Sequence, residues 1–502
     1  MSQQQSQEET GMMPSQQQQP HVLLVSFPLQ GHVNPLLRLG VRLAAEGLLV
    51  TFTTFRHAGL RALPDDDDDA AGPRIRFEYL RDVSPSDDDD ARYYQDPSDM
   101  LRHVADVGPA ALAGLIRRQA GAGRPVTCVV NNPFVPWALD VAAGTGVPCG
   151  AMLWIQSCAV LSLYHHFYTS PEAFPSDADP GAPVLDAPGL PTVAADELPL
   201  MVRPEYARNL WGDMLRAQLG AVGNKKTKTL SWVLVNTFYG LERSPIDALR
   251  THTPVAPVGP LLEHDQDLHD GGGDLAVADD DDDGDGCMAW LDAQPPRSVV
   301  YVAFGSLVSI GRGEMVAVAE GLVATGRPFL WVVRNELLPE GALAACGGGK
   351  GKGKVVSWCP QGRVLGHGAV GCFVTHCGWN SIAEALAAGV PMVGYPWWSD
   401  QFTNAKMLVE EYKVGVRLPA PVTRDGLRAC VDEVMSGPHA AAFRMRAAAW
   451  KGEAAASVAD GGSSDRNLQA FVEDVRRCHE KRGSEEGGGR RIDSSGGIAI
   501  ST

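Results

Sequence analysis

The sequence lacks the usual marks of an exported, metal-binding or membrane protein. Its ten cysteines contain no C-x-x-C pair. They are scattered, and several (Cys128, Cys372) sit in apolar, strand-like surroundings, so reduced core thiols are expected rather than disulfides or a zinc site. No run approaches the roughly 18 to 20 uninterrupted apolar residues that span a bilayer. The first twenty residues, MSQQQSQEETGMMPSQQQQP, have neither a basic n-region nor an apolar h-region, so no signal peptide is expected. A basic excess is also absent: the formal net charge is −17. Fourteen of those negative charges lie in the aspartate runs 65–69, 87–90 and 279–283, leaving the rest of the chain at about −3. A nearly neutral body offers no footprint for nucleic acid or for an acidic membrane surface. The expectation is a soluble, cytoplasmic monomer with no nucleic-acid partner and no stable membrane insertion.

What is present is a long chain with a regular rhythm. At 502 residues it exceeds one ordinary core and suits two α/β domains. Residues 1–20 are glutamine-rich and those from 481 to 502 are glycine- and charge-rich, so both read as disordered tails. HVLLVSF reads as a buried strand, NPLLRLGVRLAAEG as a helix opened by Pro35 and closed by Gly47, and LLVTFTT as a second strand. This is a βαβ unit, which implies a parallel sheet. VTCVVNN, PCGAMLW and LSWVLVNTF continue the pattern, giving a first α/β domain over 21–255. Proline, glycine and aspartate punctuation over 256–295 reads as linker and acidic loop. The alternation then restarts with SVVYVAF, a helix around 312–326, FLWVVR, KVVSW, CFVTH, a helix at 380–388 and PMVGYP, giving a second α/β domain over 296–475. Two doubly wound Rossmann-like domains facing across a cleft are expected, with ligands beyond the carboxyl ends of the strands.

Several phosphate-binding patterns fail on context. GHGAVG (366–371) fits G-x-G-x-x-G but runs into a strand instead of opening a helix. Gly348, Gly353 and Lys354 have P-loop spacing, yet Val355 stands where Ser or Thr is needed and a strand follows. The corner FVTHCGWNS (373–381) differs, because there a strand meets an alanine-rich helix. A helix start presents free N–H groups and a positive dipole end, Gly378 permits close approach, and Asn380 and Ser381 add donors. A plain helix cap is the other reading, since Ser381 and Glu384 have capping-box spacing.

From Trp358 to Gln401 the chain reads WCPQGRVLGHGAVGCFVTHCGWNSIAEALAAGVPMVGYPWWSDQ. This closely resembles the signature box of plant UDP-dependent glycosyltransferases, in register from Trp-x-Pro-Gln to the closing Asp-Gln. The resemblance implies the two-domain GT-B fold, with a last helix returning to the first domain. It implies Trp358 against uracil, Gln361 near the nucleoside, and His376, Gly378, Asn380 and Ser381 around the diphosphate. Glu384 would take the ribose hydroxyls, and Trp379, Asp400 and Gln401 the sugar. Ser306, after YVAF, matches a position near the phosphates. The closing Gln favours glucose over galactose in this family. Each role is chemically sensible: a ring stacks a base, a helix start holds phosphate, and a carboxylate accepts from vicinal hydroxyls. UDP-glucose is then the donor, and no metal or other cofactor is implied.

FPLQGHVNP places His32 in the loop after the first strand. A lone histidine there is most often a structural hydrogen-bonder, but the resemblance makes it the base for the acceptor's proton in an inverting displacement. The family usually supplies an Asp to hold this base, and in VTCVVNNPFVPWALDVA the matching residue is Asn132, with Asp140 a possible replacement. An amide can orient imidazole but cannot stabilise imidazolium; in the serine-protease triad the corresponding Asp-to-Asn change costs about 10⁴ in rate. A phenol with a pKa near 10 needs the stronger base, whereas a carboxylic acid of pKa roughly 4 to 5 is already ionised. HVLLVSFPLQGHVNPLLRLG and NNPF also resemble the branch of the family that makes glucose esters of aromatic acids. The expected acceptor is therefore a small aromatic carboxylic acid, with WIQSCAVLSLYHHFY (154–168) as a candidate pocket wall. A phenol, flavonoid or terpenoid hydroxyl, or a UDP-sugar-binding protein with little turnover, are the alternatives.

Overall fold

The computed structural model describes residues 19–55, 75–80, 97–206, 209–223, 230–262, 284–305, 310–333 and 353–488. The strands among them form two wholly parallel sheets. The first contains β1 (His21–Val25), β2 (Leu49–Thr54), β3 (Ile75–Tyr79), β4 (Cys128–Asn131), β5 (Cys149–Trp154), β6 (Leu230–Val235) and β7 (Val255–Pro257), in the order β3-β2-β1-β4-β5-β6-β7. The second contains β8 (Val299–Ala303), β9 (Phe329–Val332), β10 (Gly353–Val356), β11 (Val370–Thr375), β12 (Met392–Gly394) and β13 (Gly415–Arg417), in the order β10-β9-β8-β11-β12-β13. HVLLV and VVYVA are buried along their whole length. Helices cover both faces of such a sheet, so its strands read as continuous apolar runs with no alternation.

In each sheet the strand order reverses once, between β1 and β4 and between β8 and β11. Connections leaving the two strands at a reversal go to opposite faces, and a crevice opens at their carboxyl ends. His32 and Asn132 follow β1 and β4, while Gly305 and His376 follow β8 and β11. Both reversal points thus carry residues singled out in the sequence.

Some boundaries differ from expectation. The first helix spans Gln30–Ala45 with Pro35 inside it, so His32 lies in its first turn and not in a loop. The first sheet takes β7 from the stretch expected as linker, and the helix Gly284–Asp292 contributes Cys287 and Leu291 to the second domain's core. The last helix, Ser463–Gly488, runs into the stretch expected as a tail. It lays Leu468, Phe471, Val472 and Val475 against Val22 and Leu24 of the first domain, and Asp474 accepts a hydrogen bond from the Trp232 indole at 2.8 Å. Residues 1–18 and 489–502, the three aspartate runs, Gly348 and Ser306 lie outside the described residues.

Candidate active site

The second domain's corner is built on backbone that few side chains tolerate. After β11 the chain passes His376, Cys377 at φ 65 and Gly378, which is the N-cap of the helix Trp379–Ala388. A left-handed Cys is uncommon, and it turns the strand abruptly into the helix. No side chain caps this helix. The expected capping box does not form, because Ser381 lies within the first turn and its hydroxyl oxygen instead accepts a bond from Gln361 Nε2 at 3.0 Å. The helix therefore opens with its positive dipole end uncapped by side chains. The His376 ring lies against two glycines: a Cβ on Gly305 or Gly378 would come within 2.9 or 2.3 Å of its Nε2. Burial pulls its pKa down to about 4, offset in part by the Ala303 backbone, so the ring is neutral at pH 7.

Behind the corner runs a hydrogen-bonded chain. The Tyr301 hydroxyl donates to Gln361 Oε1 (3.2 Å), and Gln361 Nε2 donates to Glu384 Oε2 (2.7 Å). Trp358 precedes it and is partly exposed. At the next helix, Gln401–Glu410, the Gln401 carbonyl oxygen accepts the backbone N–H groups of Trp397 and Trp398, both at 3.0 Å. That leaves the amide NH₂ to point elsewhere. Asp400 is buried, which raises its pKa to about 6 despite hydrogen bonds that include one from Asn404 at 2.7 Å. Asn404 also donates to the Cys377 carbonyl (3.0 Å) and accepts from the Ser157 hydroxyl of the first domain (2.9 Å). Trp379, expected at the sugar, has its indole packed in the core, with Nε1 donating to the Asn236 carbonyl at 2.7 Å. Only its backbone remains at the helix start.

On the first domain, His32 packs against Phe27 and Phe134, with ring centroids 5.4 and 5.6 Å away. Trp211 meets Phe134 edge-on at 5.0 Å. Phe134 has φ 74, a strained conformation for an aromatic residue. Asn132 is wholly buried beside His32 but holds it through the backbone. Its Oδ1 accepts from Phe27 N (3.1 Å), and its Nδ2 donates to Ser26 Oγ (3.0 Å) and to the His32 carbonyl (3.1 Å). His32 Nδ1 is enclosed and has no hydrogen-bond partner among the described residues. Burial lowers its pKa to about 4, offset in part by the nearby Asn132 and the Pro133 backbone. Asp140 is exposed on the helix Trp137–Gly144 and makes no ion pair with His32 among the described residues. The expected wall at 154–168 is mostly core: Trp154 and Tyr164 are buried, and only Phe167 lines a cavity of about 410 Å³, shared with Pro175, Val202, Pro204 and Arg216.

The two domains meet at these groups. Proline has no N–H, so Pro35 leaves the Gly31 carbonyl without its helical donor. Asn380 Nδ2 donates to that oxygen at 3.0 Å, which ties the second domain's corner to the residue next to His32.

Known proteins resemble this chain in sequence and fold. A model of the family described as UDP-glucoronosyl and UDP-glucosyl transferase matches residues 265–448. Over 476 residues, 91% of this chain and 90% of the relative, the sequence is 41% identical to gallate 1-beta-glucosyltransferase of Quercus robur. The chain belongs to the UDP-glycosyltransferase family. Another relative within it, the cinnamate beta-D-glucosyltransferase of Fragaria ananassa, is 41% identical over 91% of this chain and 83% of its own. Among solved structures, Os79 from O. sativa in complex with UDP superposes with a TM-score of 0.77 at 32% identity, covering 90% of this chain and all of Os79. A UDP-glucose: anthocyanidin 3-O-glucosyltransferase with UDP gives 0.75 at 28% identity, covering 92% of this chain and 100% of its own. The fold is the GT-B arrangement of this family, and the protein is a UDP-glycosyltransferase. Among the described residues, no helix is long and apolar enough to cross a membrane.

Sequence reasoning missed Arg38, Asn236, Gly305, Phe134 and Asn404. No local pattern marks Arg38, Asn236 or Asn404, which act through partners on the other domain. Gly305 and Phe134 matter through backbone angles that spacing does not reveal.

Proposed function

We propose that this UDP-glycosyltransferase moves glucose from UDP-glucose to the carboxylate of a small aromatic acid, with inversion, to give a β-glucose ester. The observation that carries this reading is the group beside His32: a buried amide, Asn132, stands where a carboxylate would be expected, with its Nδ2 on Ser26 Oγ and the His32 carbonyl. Burial also lowers the His32 pKa to about 4. Without a carboxylate to stabilise imidazolium, His32 is a poor base for a phenol of pKa near 10, whereas an acid of pKa roughly 4 to 5 arrives already ionised. Its oxygen attacks the anomeric carbon, the bond from that carbon to the β-phosphate oxygen breaks, and UDP leaves with the electron pair. No proton has to be removed, so His32 acts by donating a hydrogen bond to the acceptor and orienting it. The relatives named for gallate and cinnamate support the same acceptor class.

In this reading the growing charge on UDP meets the N–H groups of the Trp379–Ala388 helix and neutral His376. Trp358 stacks on uracil, Glu384 takes the ribose hydroxyls, and Asp400, the Gln401 NH₂ and the Trp379 backbone meet glucose. Gln361 serves by fixing Glu384 and Ser381. No step requires a metal, so the rate should be unchanged by excess EDTA. The test is an acceptor screen with UDP-glucose at pH 7, with products identified by mass and by lability to mild base. Cinnamate and benzoate analogues should give base-labile esters faster than flavonols or simple phenols give stable glucosides. Faster turnover of phenols would overturn the acceptor assignment.

A further inference from the structure

The helix that carries His32 and the helix that opens at the diphosphate corner are joined by two polar rungs. One is the Asn380 amide on the Gly31 carbonyl. The other is an ion pair, Arg38 Nη1 to Glu384 Oε1 at 2.8 Å, with side chains only 7% and 9% exposed. Gly31 and Arg38 are seven residues apart and Asn380 and Glu384 four, so each pair shares one helix face. The rungs run in the same chain direction on both helices, which brings the two N-termini side by side. Arg38 Nη1 also donates to the Leu261 carbonyl at 3.1 Å, where the first domain gives way to the connecting segment.

Burying a guanidinium and a carboxylate is costly, and the attraction between them repays that cost only with good geometry and further hydrogen bonds. Here the geometry is complete: Arg38 takes one oxygen of Glu384 and Gln361 takes the other. The carboxylate plane is fixed, and each oxygen keeps a lone pair for a ligand hydroxyl. We propose that Arg38 is a positioning residue for glycosyl transfer: through Glu384 it sets the ribose-binding carboxylate and holds the His32 helix in register with the diphosphate corner. This rests on the donor-site reading given above.

The test is a double-substitution cycle read by UDP titration and by steady-state kinetics on the full chain. Arg38→Met should weaken UDP binding about tenfold or more, because it strands a buried carboxylate. It should also lower kcat while leaving the acceptor KM within about twofold, a split that a general loss of packing would not produce. Arg38→Lys should recover part of both effects. In a Glu384→Gln background, Arg38→Met should weaken UDP binding by less than about twofold, because the partner charge is already gone. If Arg38→Met does not fold, the same cycle is run with Arg38→Lys. Unchanged UDP affinity and kcat in the Arg38 variant, or full additivity with Glu384→Gln, would overturn the role of Arg38. Failure of the wild-type protein to bind UDP would instead overturn the donor-site reading itself.

Discussion

The corner of the second domain and the cluster around His32 in the first are built in different ways from similar material. The corner draws Trp358, Gln361, His376, Gly378, Asn380, Ser381, Glu384, Asp400 and Gln401 from one stretch of 44 residues. Its backbone is turned locally by a left-handed Cys377 and by Gly378, which admits the His376 ring together with Gly305 from the loop after β8. The His32 cluster collects Phe27, His32, Asn132, Phe134 and Trp211 from three separate parts of the chain. It is held by one buried amide and by one strained aromatic residue. A site made from consecutive turns has most of its backbone course set within one stretch of chain. One made from distant segments depends on a few residues that pin them together.

The sharpest way to break that contrast is at Phe134. Phe134→Ala should cost about 3–5 kcal/mol of stability, the usual result of emptying a packed aromatic site. Phe134→Gly should be milder by about 1 kcal/mol, although it removes more, because glycine adopts the positive φ without strain. Thermal or denaturant unfolding would reverse this ordering if the backbone there were relaxed. At the corner, Gly378→Ala should lower kcat/KM by about 10²-fold through displacement of His376, since an error near 1 Å in such a site costs that much in rate. Steady-state kinetics measures it, alongside a stability loss of about 1–3 kcal/mol from overpacking.

Asn132→Asp comes next. It replaces a donor by an acceptor opposite the His32 carbonyl and Ser26 Oγ, at a cost of about 1–3 kcal/mol. In the protein that remains folded, the added charge should favour imidazolium and raise the ratio of phenol to acid turnover. An unchanged ratio would mean that the side chain exerts no influence on the ring. The smallest effect is on pH dependence. A histidine with a folded pKa of about 4 stays neutral down to that value, so kcat/KM with an ionised acid should be flat between pH 8 and about 5.5. An unperturbed histidine would already bend the profile near 6.5.

The same contrast explains what the sequence disclosed. The alternation of apolar runs and helices foretold both parallel sheets, because strands buried on two faces cannot hide their composition. The corner was legible because its groups are neighbours along the chain. Pro35 misled about the first helix: it looks like a start signal, yet it sits in the second turn and serves by releasing the Gly31 carbonyl. Ser381 and Glu384 looked like a cap, but each is turned toward Gln361, and Glu384 also to Arg38. The indole of Trp379, expected at the sugar, instead donates to the Asn236 carbonyl of the first domain. Such choices are made by partners 20 to 349 residues away, and no local pattern records them.

The most direct measurement uses one molecule that offers both kinds of acceptor group. With 4-hydroxycinnamate and UDP-glucose at pH 7, a neutral His32 without a carboxylate partner predicts glucose on the carboxyl oxygen, seen as a product cleaved by mild base. Predominant glucose on the phenolic oxygen, stable to the same treatment, would contradict it.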